Sequence, residues 1–120
     1  MKVPPINIID SEKEIELYTG IFSVSVLGGW DVIVNDFSFI LKNTISGKII
    51  KPKITQWKTQ SFLFNEKAKK IMILDIPERG NYTIEFKNQE RLKVWKSDIP
   101  YLYRLFRQPI EKQYVQISIH

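Results

Sequence analysis

The chain has 120 residues and a mass of 14.2 kDa, enough for one domain, and its 43% hydrophobic and 26% charged content is that of a folded globular protein. It carries 18 Lys+Arg against 13 Asp+Glu, a formal charge of +5, no cysteine and a single histidine, His120. Disulfides, thiolate metal sites and thiol catalysis are excluded, and a serine triad or histidine metal site would have to rest on a frayed terminus; no cofactor and no metal are expected.

Along the chain the dominant hydrophobic period is two, the strand period. The first ten residues contain no continuous apolar core or small-residue cleavage site, so a cytoplasmic location is expected unless a signal peptide has been removed. Residues 13–19 put Ile15 and Leu17 on one face, and residues 21–27 do the same with Phe22, Val24 and Val26. Gly28-Gly29 signals a turn. A third strand, 30–34, has Trp30, Val32 and Val34 directed to the core, and a fourth, 37–42, has Phe37, Phe39 and Leu41. Residues 43–47 read as a hairpin loop in which Gly47 supplies a positive φ. The chain returns through 48–51, where Pro52 marks a strand end or sheet edge. Short strands are expected at 54–58 and 61–64, a charged loop at 65–69, and a central strand at 70–75 that is apolar on both faces.

Pro77-Glu78-Arg79-Gly80 is the plainest turn, followed by strand 81–87 with Tyr82, Ile84 and Phe86 inward and strand 91–96 with Leu92 and Val94 inward. From Ile99 the spacing changes to Ile99, Leu102, Tyr103 and Phe106, which predicts one short helix near 99–107. The last strand is 113–119. With about nine or ten short strands separated by regular turns, the expected fold is all-β: a two-sheet antiparallel β-sandwich, jelly-roll-like or Greek-key, forming one domain over residues 1–120. A partly open barrel is the alternative. No stretch approaches the roughly 18 apolar residues of a membrane-spanning helix.

The charge is unevenly distributed. Residues 1–40 sum to −4, 41–80 to +6 and 81–120 to +3. The 14 lysines, four arginines and 19 isoleucines match an AT-rich coding bias, so part of the positive charge reflects codon usage. Lysine is also the commonest guard of exposed sheet edges. Two aromatic–cationic groups stand out as binding candidates. Trp95 lies on the outward parity of its strand with Arg91 and Lys93, and Trp57 shares parity with Lys53. An exposed indole among cations can anchor a protein or stack on a sugar or base. The outward set of the short helix, Tyr101, Arg104 and Arg107, is a third candidate surface.

Glu14 and Glu16 lie about 6.8 Å apart on one strand face, a spacing glycosidases use, but nothing near them would desolvate either one. Asp31, Asn35 and Asp36 fit turn chemistry better than a cation site. Catalysis is therefore not expected. The leading expectation is a non-catalytic interaction domain engaging a protein partner, as a small bacterial inhibitor would, either monomeric or a weak homo-oligomer. The alternative is a carbohydrate-binding module using exposed tryptophans; a single-stranded nucleic-acid binder ranks below both.

Overall fold

Period-two patterning becomes twelve strands in a computed structural model that describes residues 3–10, 12–96 and 108–120. In chain order they are β1 (Ile6–Asn7), β2 (Lys13–Leu17), β3 (Gly20–Leu27), β4 (Asp31–Ile33), β5 (Ser38–Asn43), β6 (Ile49–Ile50), β7 (Lys53–Ile54), β8 (Gln60–Leu63), β9 (Glu66–Ile76), β10 (Gly80–Lys87), β11 (Lys93–Trp95) and β12 (Gln116–Ile119). Every pairing is antiparallel. One sheet runs β1-β12-β3-β9, with β7 and β8 sharing the outer edge of β9; the second runs β2-β10-β5-β6; β4 and β11 form a separate pair. The architecture is an all-β sandwich. Two antiparallel ribbons, β2–β3 and β9–β10, pass from one sheet to the other, so that β2 lies beside β10 and β3 beside β9.

The register explains which side chains meet. Val24 pairs with Ile119 and with Met72, and Val26 with Ile117, on the inner face of the first sheet. Tyr82 pairs with Ile15, Ile84 with Leu41 and Phe86 with Phe39 on the inner face of the second. All of these side chains belong to one buried cluster. Fully burying each large apolar side chain contributes about 1.5–3 kcal/mol, which offsets the entropy of ordering these short strands. Residues 3–8 add Val3, Ile6 and Ile8 to the same cluster, beside the edges of β12 and β2.

Local chemistry sets the corners. Asn43 is buried and its Oδ1 accepts from the Ile45 and Ser46 amides at 2.9 and 3.0 Å, while Gly47 sits at φ 76°, as the hairpin loop requires. The Tyr82 hydroxyl donates to the Glu78 carbonyl at 2.6 Å, tying the β9–β10 corner to the core strand that follows it. Gly29 has a different role: a Cβ there would lie 1.9 Å from the Trp95 carbonyl oxygen, because β11 passes directly over it.

Several sequence expectations shift. Residues 66–69, expected as a charged loop, are the first part of the 11-residue β9, because β3 and β8 pair with them on either side. The last strand begins at Gln116 rather than 113, after a 3-10 turn at Lys112–Tyr114. Trp30 is not in the core cluster. It is half-buried outside it, donating from Nε1 to the Ser61 carbonyl at 3.1 Å and meeting Phe62 edge-on at 5.1 Å. The helix expected near 99–107 lies outside the described residues, and among those described no helix is long and apolar enough to cross a membrane.

Candidate functional site

The edge facing away from β3 is where β9 meets β7 and β8, and it is built around a double irregularity. On the inner side, Val24 pairs with Met72 but Ser25 pairs with Lys70, so Ile71 is an extra residue that bends β9. On the outer side, the Thr55 amide donates to the Ile71 carbonyl at 3.1 Å and the Lys70 amide donates to the Thr59 carbonyl at 3.0 Å. Two neighbouring residues of β9 thus hold both ends of a five-residue segment, and residues 56–58 are looped out.

Trp57 is at the apex of that loop. Its amide donates to Thr55 Oγ1 at 3.1 Å and its carbonyl accepts from the Thr59 amide at 3.2 Å, while Thr55 is itself buried. The backbone is therefore held on both sides, yet the indole is 82% exposed. Ile54 and Phe62, on the same edge, are 62% and 65% exposed, and Lys53 and Lys58 flank the loop in exposed positions. The stretch from residue 37 to 65 contains five lysines and no aspartate or glutamate. The edge is apolar at its apex, and lysine is the only charged residue type in the chain segment that carries β6, β7, the loop and β8.

The second tryptophan group is not assembled as expected. Trp95 is only 8% exposed, despite its outward parity. The returning segment at 108–111 covers that face: the Ile110 amide donates to the Val94 carbonyl at 2.7 Å, and Trp95 shares a cleft wall with Pro109 and Ile110. Arg91 is committed locally, with Nε 3.2 Å from Asp36 Oδ1 and its carbonyl accepting from Asn35 Nδ2 at 3.0 Å. Lys93 is exposed but has no exposed indole beside it on its strand. Tyr101, Arg104 and Arg107 lie outside the described residues.

Two features escaped the sequence pattern. His120 is not frayed: its backbone exchanges two hydrogen bonds with Ser23, at 2.7 and 2.9 Å, and its Nε2 lies 2.8 Å from Ser25 Oγ. Burial, and then the nearby Lys70 charge, lower its pKa below the ordinary 6.5. Ser25 is buried, so this pair fastens the end of β12, and His120 also lines a cleft of about 260 Å³ with Val3, Phe62, Phe64 and Ser118. The second feature is a cleft of about 380 Å³ beside β2, lined by Val3, Pro4, Lys13, Glu14, Ile15, Glu16 and Tyr18. Only the tertiary fold brings residues 3 and 4 against that strand. Among the described residues, no group of three or more His, Asp or Glu side chains could hold a metal ion.

No family model, curated protein or solved structure matches this chain.

Proposed function

We propose that the protein is a non-catalytic interaction domain that docks an acidic protein partner through the looped-out edge, with Trp57 as the anchor. The observation that carries this reading is the exposed indole on a backbone held by hydrogen bonds on both sides. Large aromatic anchors dominate binding energy at interfaces, and one whose backbone is already ordered loses less entropy on docking. The adjoining strands do not explain the indole. β6 and β7 are two residues each, with Pro52 between them and Lys48, Lys51 and Lys53 around them, the usual protection against strand addition. Protection needs no exposed tryptophan. Lysine around the apex adds complementarity to an acidic surface and speeds encounter.

The carbohydrate reading loses one of its two platforms with Trp95 buried. Lysine rather than arginine around Trp57 also favours a diffuse acidic surface over bidentate phosphate contacts. The test is affinity capture from native cell extract with immobilised wild-type and Trp57→Ala proteins. The wild type retains an acidic protein that high salt releases, and Trp57→Ala retains at most about one-tenth as much. Equal capture by the two proteins removes Trp57 as the anchor.

A further inference from the structure

We infer that the partner is a second copy of this chain, which is basic overall but offers a locally acidic surface, with the Trp57 edge of one copy seated in the cleft beside β2 of the next. This inference rests on the Trp57 docking reading above. The cleft is chemically the counterpart of that edge. Its apolar surface comes from Pro4 and the Tyr18 ring, Val3 and Ile15 being buried, and its walls carry Glu14 and Glu16. Asp10 and Glu12, both exposed, stand in the adjoining β1–β2 connection. Lys13 and Arg79 offset part of this charge, Arg79 by a 3.6 Å exposed pair with Glu16 and by stacking over Tyr18 at 4.4 Å. The four carboxylates still outnumber these two cations. An indole fits the apolar surface, while Lys53 and Lys58 meet the carboxylates.

Topology decides the geometry of association. β1 and β2 are the edge strands at one side of the sandwich, joined by residues 8–12, and β6 and β7 are edge strands at the other side, joined by residues 51 and 52. The cleft and Trp57 therefore lie on opposite sides of the same molecule. A two-fold dimer would need both surfaces on one face to satisfy them reciprocally. Opposite placement gives a heterologous, head-to-tail contact that can repeat from copy to copy. With one aromatic anchor and exposed ion pairs, the contact belongs to the small, weak class of interfaces and is sensitive to salt.

Sedimentation velocity over a micromolar-to-millimolar range tests this. In low salt the weight-average mass of the wild type rises with concentration and passes the dimer without a plateau, and in high salt it returns towards the monomer. Trp57→Ala lacks the plug and E14K/E16K lacks the acidic walls, so each alone remains monomeric; both sets of changes are at exposed positions. Mixed in equal amounts, each supplies the half the other lacks, and a complex forms that stops at the dimer. Lys53→Glu with Lys58→Glu reproduces the Trp57→Ala result by charge alone. A wild type that stays monomeric throughout, a plateau at the dimer, or mixed variants that fail to associate each overturns the head-to-tail contact. If that contact fails while Trp57-dependent capture of a different acidic protein persists, the docking function stands and only the identity of the partner changes.

Discussion

Replacing Gly29 by alanine should be the most damaging single-methyl change among the glycines described. The added Cβ would lie 1.9 Å from the Trp95 carbonyl oxygen and 2.9 Å from its carbonyl carbon, both backbone atoms. Even a close carbon–oxygen contact is about 3.3 Å, so β11 must retreat by roughly 1.4 Å. That movement pulls on all three β4–β11 residue pairs and on the 2.7 Å bond from the Ile110 amide to the Val94 carbonyl. Overpacking costs about 1–3 kcal/mol and a lost hydrogen bond about 1 kcal/mol, so the expected loss is about 3 kcal/mol. At roughly 4 °C per kcal/mol for a domain of this size, the melting temperature falls by about 12 °C. Gly47→Ala is the control. Gly47 has φ 76°, but its added Cβ would meet nothing closer than 4.0 Å, so only the left-handed backbone is penalised, by about 1–2 kcal/mol. Urea unfolding of the two variants, with near-ultraviolet circular dichroism to follow the Trp95 environment, separates the effects. A Gly29→Ala protein that loses less than Gly47→Ala refutes the close-approach argument.

Three further outcomes follow from named contacts. Tyr82→Phe removes the hydroxyl bond to the Glu78 carbonyl and leaves the ring in place, so chemical denaturation should show a loss of about 1 kcal/mol with an unchanged m-value. Phe64 and Asn65, both at positive φ, form the two-residue turn between β8 and β9; Asn65→Ala should cost about 1 kcal/mol and Asn65→Gly at most about 0.5 kcal/mol, read from thermal melts. The lowered pKa of His120 means that the unfolded chain takes up its proton first as pH falls. The stability it contributes is complete above 6.5 and is lost as pH drops from there through the folded-state value, so urea midpoints between pH 7 and 5 should fall more steeply for the wild type than for His120→Gln.

The strands with one buried face were legible in the sequence because alternation records burial directly. β10 shows it best: Tyr82, Ile84 and Phe86 are buried and Asn81, Glu85 and Lys87 exposed, as their order along the chain predicts. The pattern fails where neighbours other than the opposite sheet decide burial. Residues 66–69 resemble a polar loop because three of the four are charged, yet flanking strands on both sides recruit their backbone into β9. Trp95 fails for a related reason. Its parity is outward within β11, but Ile110, fifteen positions later, returns with its neighbours over that face. Gly29 showed itself only as half of a turn signal. Its actual constraint is the backbone of a strand more than sixty residues away.

Trp57 illustrates the converse case, in which an irregularity preserves a side chain that a regular strand would place differently. Strand parity assumes one residue per position, and the segment between Thr55 and Thr59 spends five residues on the span that β9 covers with Lys70 and Ile71. Parity therefore says nothing about where residues 56–58 point. The loop occurs where β9 has its own extra residue against β3, so both edges of one strand bend at Ile71. Strand addition along this edge is opposed by its short strands, its lysines and Pro52. Under the docking role proposed above, recognition there would fall to side chains held by the loop rather than to main-chain pairing. For that proposal the placement of charge matters more than the net +5: Lys53, one of the lysines along this edge, and Lys58 lie beside its exposed indole.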